Sequence, residues 1–338
     1  MYGIKKAQTR VRLLTEKAVG THVSGRNCIM NKKTSMKERL CNLGKQMYRG
    51  RHLYLMILPG MITVFIFHYM PIYGVQIAFK DYRTSLGILG SEWVGLKYFK
   101  KFVDYPYFGK IMWNTIKISL TSLCMFPIPV IFSLMLNELG NLRFKKTIQT
   151  ITYAPHFVST VVTCSIVTLL LSRDGIINTA LGYFGVESVS FMSMPKAFAP
   201  IYALSDLWQH LGWNTILYIA TLAGVSPELV EAAKLDGAGR VQIIRHVYFP
   251  HLLPTIVTMF ILRTGSLLSV GFEKVFLLQN PLNMEASSVI STYVYEVGIL
   301  SQQYSYSSAI GLFNNIINIM LILFTNQVSK KVTKVGLW

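Results

Sequence analysis

Asp206 and Arg263 have the most chemistry to explain, because each falls deep inside an apolar run where an unpaired charge is costly. Around the first stand Trp208, Gln209, Trp213 and Asn214. Indole faces stack on sugar rings and amides bond their hydroxyls, so this group suits the lining of a solute pathway. The same residues also serve as interfacial Trp and as amide bridges between helices, and both accounts stay open. Asn314, with Asn315 and Asn318 on the last apolar run, reads in the same two ways. Arg263 either pairs with Asp206 at a similar depth or turns its planar fork to a solute carboxylate. Lys117 lies near the end of its run and can snorkel. Within the apolar runs no His, Asp or Glu cluster has metal or acid–base spacing, so neither catalytic nor metal-ligating residues are assigned. No G-x-x-x-x-G-K-[ST] phosphate loop occurs either; Gly20–Asn27 comes nearest but lacks the lysine and hydroxyl residue where they are needed.

The elements that must hold these side chains follow from composition. Of 338 residues 52% are hydrophobic and only 14% charged, more apolar surface than one soluble core can hide. Runs of about 20 residues, the length that crosses the hydrocarbon layer, recur six times: Tyr54–Tyr73, Trp113–Leu136, Ile148–Leu171, Ala199–Ala223, Thr255–Gly271 and Ser307–Val328. Pro59, Pro127, Pro129 and Pro155 lie within them, which predicts kinked helices whose freed carbonyls find partners in neighbouring helices. The fold class expected is an all-α membrane protein of about six kinked spans: a basic arm over 1–51, a transmembrane domain over 52–328 and a tail over 329–338.

Charge predicts the orientation. The arm and the loops on its side hold 22 Lys or Arg, against nine in the opposite loops, which places both termini in the cytoplasm. Lys97, Lys100, Lys101 and Lys110 weaken the contrast, but their loop is long, and long loops cross largely regardless of charge. The formal charge of +18 is concentrated in the arm without a nucleic-acid recognition module, so its expected partner is anionic lipid. The arm is too long and polar for a signal peptide, so the first span reads as an uncleaved anchor. Cys28 and Cys41 fall in the arm, Cys124 and Cys164 in spans, and no pair is placed for a disulfide or a metal.

The loop from Ser226 to Pro254 is more patterned than a connector needs. Ser226 reads as an N-cap, Pro227 as the first helical residue, and Glu228 and Glu231 sit where the helix dipole favours acids. Leu229, Ala232 and Ala233 share a face, and Gly237 is placed for a left-handed cap. A second helical stretch, Arg240–Tyr248, is expected to run to Pro250. By physics alone this is a helix–turn–helix on a membrane surface.

The spacing Glu231-Ala232-Ala233, Gly237, Val247, Phe249-Pro250 resembles the EAA signature of permease subunits in binding-protein-dependent ABC importers of the maltose-permease type. Val247 and Phe249 replace the usual Ile and Leu and keep the apolar character. The resemblance runs from about Leu53 to the C-terminus. Pro71–Val75, Ile77–Tyr82, Trp93–Leu96, Gly271–Glu273 and Thr292–Tyr295 look like permeases for polysaccharide-derived oligosaccharides, aldouronates included. It implies a bacterial cytoplasmic-membrane permease subunit without catalytic activity, importing oligosaccharides that can be acidic. ATP and Mg would be bound by a separate ATPase dimer, a second permease would complete a heterodimer, and an extracellular solute-binding protein would deliver the solute. It also implies that the loop 226–254 couples to the ATPase through Glu231, Ala232, Ala233, Asp236, Gly237, Arg240 and Pro250. A secondary transporter, or an ABC permease for peptides or amino acids, remains as the alternative; the first would not need the patterned loop.

Overall fold

The computed structural model describes residues 50–338, so the basic arm, with Cys28 and Cys41, lies outside the described residues except for its last two. The chain divides into a unit ending at Ile72 and a unit from Tyr73 to Trp338. In the first, helix α1 (Arg51–Val64) holds Pro59 internally and widens into a π-turn at Phe65–Tyr69.

The second unit is helical apart from one two-rung antiparallel ladder, β1 (Lys80–Asp81) with β2 (Glu92–Trp93). Its main helices are α2 (Phe108–Cys124), α3 (Pro127–Asn137), α4 (Leu142–Tyr153), α5 (Thr160–Leu170), α6 (Phe198–Leu222), α7 (Pro227–Leu235), α8 (Arg240–Ile243), α9 (Phe249–Thr264), α10 (Phe272–Leu278), α11 (Ile290–Tyr295) and α12 (Tyr304–Thr333). Among the described residues four stretches are long and apolar enough to cross a bilayer: Arg51–Phe79, Phe108–Asn137, Arg240–Thr264 and Tyr304–Thr333. The other two expected spans fall in bent pairs, Leu142–Phe157 with Thr160–Leu170 at 104° and Pro195–Leu222 with Pro227–Leu235 at 76°.

The span Ile148–Leu171, expected to be kinked at Pro155, is broken outright, for a local reason. Pro155 is the second residue of a 3-10 turn over Ala154–Phe157, Val158 is extended, and Ser159 restarts the helix by accepting the Val162 N–H. The carbonyl of Val158, freed by the break, accepts a hydrogen bond from the buried Gln209 amide of α6 at 3.2 Å. One turn on, a β-carbon at Gly212 would lie 2.4 Å from the carbonyl oxygen of Thr152, so only glycine lets α6 lie this close to α4.

A second departure concerns the run Thr255–Gly271. The helix stops at Thr264 and an irregular segment of turns follows to Gly271. Its backbone is tied to α12 by Asn318, whose Oδ1 accepts the Leu268 N–H (3.1 Å) and whose Nδ2 donates to Ser269 Oγ (2.9 Å). Asn318 is thus a buried bridge. Arg263, expected at mid-span, sits in the last helical turn beside this segment. Next, α10 packs back against α5, burying Lys274, Val275 and Leu278 instead of standing free as an external loop.

Candidate functional site

Two arrangements carry chemistry. The first is built on one stripe of α6, because residues four apart share a helical face. Tyr202, Asp206 and His210 fall on that stripe. Asp206 is met by three basic groups from three elements: Lys274 Nζ of α10 at 3.2 Å, His210 Nδ1 of its own helix at 3.3 Å, and an Arg263 guanidinium nitrogen of α9 at 3.6 Å. The Lys274 side chain is 6% exposed and that of Arg263 48%, so Lys274 is the buried counter-ion while Arg263 keeps much of its fork free. Tyr202 holds the arrangement: its hydroxyl accepts the Gly271 N–H (3.2 Å) and its ring lies 5.9 Å from Lys274 Nζ.

Asp206 and Arg263 line a cavity of about 230 Å³ whose wall is rich in hydroxyls, among them Ser119, Ser122, Ser266 and Ser269. Ser119 donates to the carbonyl of Leu267, which fixes the irregular segment to α2. Ser122 Oγ is buried with no partner among the described residues. A second cavity of about 240 Å³ shares Asp206, Arg263, Ser122 and Ser266 and adds Asn214, Tyr218 and Phe126. Arg263 and Asp206 line both cavities while Lys274, which lines neither, is buried against the carboxylate, so the cluster as a whole has one excess positive charge that favours an anion, and the hydroxyls and Asn214 suit a polyol.

Of the pathway residues expected from the sequence, Asp206, Arg263 and Asn214 are brought together. Gln209 is spent on the broken helix. Trp213 stacks on His156, centroids 4.2 Å apart, beside that break, and Trp208 is exposed and lines neither cavity. Asn314 lies elsewhere, on a cavity of about 450 Å³ with Ser291, Phe272 and Tyr304. Sequence reading missed Tyr202, His210 and Lys274. The first two were signalled by their four-residue spacing from Asp206; Lys274 was not, since its burial follows from α10 folding back.

The second arrangement is α7 and its cap. Ser226 occupies the N-cap with extended backbone but makes no side-chain cap bond, and Pro227 and Glu228 open the helix as the sequence predicts. Gly237 has φ +79°, its N–H bonds the Lys234 carbonyl and the Ala238 N–H bonds that of Ala233, closing a Schellman cap. Glu231 and Ala232 are exposed, Ala233 is half-buried, and Leu229 and Leu235 stand out in solvent. The second stretch does not end at Pro250. From Gly239, whose N–H is held by Gln242 Oε1 at 2.7 Å, the helix runs through Arg240 and a π-turn at Ile244–Tyr248 into α9. Pro250 is accommodated in the first turn of α9.

Comparison with known proteins fits this architecture. Residues 125–334 match the family model described as the binding-protein-dependent transport system inner membrane component. The chain is 41% identical over 314 residues to the polygalacturonan/rhamnogalacturonan transport system permease protein YteP of Bacillus subtilis, covering 92% of this chain and 97% of that one. It is 43% identical over 292 residues to Protein LplB of the same organism, covering 86% and 92%. Among solved structures, a bacterial ABC transporter involved in the import of the acidic polysaccharide alginate is similar with a TM-score of 0.79 and 36% identity, over 86% of this chain and 99% of that one. A second alginate transporter structure, in complex with an alginate pentasaccharide-bound periplasmic protein, gives the same score over 87% of this chain.

Proposed function

Since the chain belongs to the family of binding-protein-dependent transport system inner membrane components, we propose that it is the permease subunit of an ATP-driven importer of oligosaccharides whose units carry carboxylates. The observation that carries this reading is the charge of the Asp206 cavities: Lys274 neutralises the one carboxylate, and the half-exposed fork of Arg263 is left to face a solute anion. Similarity to transporters named for polygalacturonan and for alginate supports the same substrate class. Serine hydroxyls and Asn214 supply hydroxyl contacts beside the charge.

Transport requires partners in this reading. A separate ATPase dimer binds ATP and Mg and seats α7 through the face of Glu231, Ala232 and Ala233, with Asp236, Gly237 and Arg240 shaping its end. A second permease closes the pathway, and an extracellular binding protein delivers the solute, as the periplasmic protein in the related alginate complex supports. The α7 side is cytoplasmic in this reading, which the positive-charge bias supports. The test is ATP-dependent uptake by proteoliposomes holding the full assembly. Oligogalacturonides should be taken up and neutral oligosaccharides of equal length less well, with the preference lost in Arg263→Met. Equal uptake of both by the parent protein would overturn the acidic assignment, and uptake independent of ATP would overturn the importer class.

A further inference from the structure

A larger cavity of about 510 Å³ lies among the start of α2, α10, α11 and the segments beside them, and the Asp206 site makes no use of it. Tyr105, Tyr107, Phe276 of α10 and Tyr295 of α11 are among its lining residues. The rings are held in a network: Tyr105 stacks on Tyr293 at 5.1 Å between centroids and meets Tyr107 edge-on at 5.7 Å. Phe276 and Tyr295 meet edge-on at 5.5 Å, and Phe272 braces both. The segment 285–290 is fixed as well. Asn114 Nδ2 donates to the carbonyls of Glu285 and Ser288, and Thr115 Oγ1 accepts the Ile290 N–H, so this segment is anchored to α2.

The polar groups are few. Lys110 Nζ and Glu285 Oε1 are paired at 2.8 Å and cancel. Gln279 and Glu296 also line the cavity, and among the described residues neither side chain has a hydrogen-bond partner. Several aromatic rings lining one cavity with one free amide and one free carboxylate are the groups that hold a pyranose: rings cover its C–H faces and the amide and carboxylate bond its hydroxyls. The volume falls within the range of small-ligand sites. The charge is opposite to that of the Asp206 cavities. Glu296 leaves this site with one uncompensated negative charge, which disfavours a uronate and leaves a neutral sugar unit as the fitting occupant.

We infer that this aromatic cavity is a second sugar subsite, specific for a neutral pyranose unit, which the chain engages separately from the anion-selective cavity at Arg263. The inference rests on the reading of the solute as an oligosaccharide. Methyl galactoside and methyl galacturonoside (galacturonate below), which differ only in bearing a hydroxymethyl group or a carboxylate at C5, separate the two sites by saturation-transfer NMR on the assembled importer in nanodiscs. Methyl galactoside should bind the parent protein, and Tyr107→Ala and Gln279→Ala should each weaken it about tenfold, the loss of one stacking face or one hydroxyl partner. Glu296→Gln should admit galacturonate to a site insensitive to Arg263→Met. Methyl galactoside binding that survives both substitutions unchanged, or an aromatic cavity that takes galacturonate in the parent protein, would overturn the inference. In either case galacturonate binding that still depends on Arg263 leaves the proposed function intact, whereas its absence together with absent uptake counts against that function itself.

Discussion

Replacing Lys274 by methionine tests whether the Asp206 cluster divides its labour between a structural and a solute-facing cation. Lys274 Nζ lies 3.2 Å from Asp206 and is almost wholly buried, whereas Arg263 lies 3.6 Å away and is half exposed. At an effective dielectric of about 20 either pair has about 5 kcal/mol of Coulomb attraction, but the exposed partner loses most of that to solvent. Removing the buried partner of an ion pair costs about 3–5 kcal/mol when nothing replaces it. Arg263 and His210 remain to compensate, so Lys274→Met should cost about 2–3 kcal/mol and Arg263→Met about 1 kcal/mol or less. In thermal unfolding of the purified protein followed by fluorescence, the first should lower Tm by about 4–12 °C and the second by a few degrees at most. Asp206→Asn added to Lys274→Met should recover part of the loss, because the stranded carboxylate is then neutral. If Arg263→Met destabilises as much as Lys274→Met, or if the double variant is no better than the single, the division of roles is wrong.

Gly237→Asp places a side chain at φ +79° with open space around it, so the backbone cost is only about 1 kcal/mol. Membrane insertion should be normal while uptake in proteoliposomes is lost; normal uptake would remove the coupling role from α7. Ala233→Arg should leave folding intact and lower recovery of the ATPase on copurification, and undiminished recovery would leave α7 a surface hairpin. Gly212→Ala should reduce folded yield on size-exclusion chromatography, because the new methyl would sit 2.4 Å from the Thr152 carbonyl oxygen and force α4 and α6 apart. A yield equal to the parent would show that the close approach is not required.

The apolar runs were legible because a span needs only length and hydrophobicity, and the α7 cap because proline, early acids and a late glycine each have a local reason to stand where they do. The break at Pro155 was half legible. Proline announces a kink, but 104° depends on Gln209 capping a freed carbonyl and on Gly212 admitting the neighbouring backbone, and both are tertiary facts. The early end of α9 was hidden for the same reason: Leu267 to Gly271 reads as a continuation of the span, and only Asn318 and Ser119 reveal where the backbone bonds go. Asp206 and Arg263 were found by their cost in lipid. Lys274 escaped because a lysine just past an apolar run looks solvated until the chain turns back on itself.

The uninterrupted passage from Gly239 to Thr264 has a mechanical consequence. Its apolar part, α9, has 16 residues and is therefore about 24 Å long, with the π-turn at Ile244–Tyr248 at its α7 end and Pro254 inside it as the places where its hydrogen-bond ladder departs from the regular α pattern. A helix of that length tilted by about 10° at the π-turn carries its far end about 4 Å sideways. Arg263 sits at that far end and stands 3.6 Å from Asp206. A displacement at α7 too small to unfold anything is thus large enough to take Arg263 out of range, while Lys274, on another helix, stays with the carboxylate. Under the proposed function, the charge presented to the cavities would then vary with the angle of α9, and the grip on an anion and the position of α7 would be set by one coordinate.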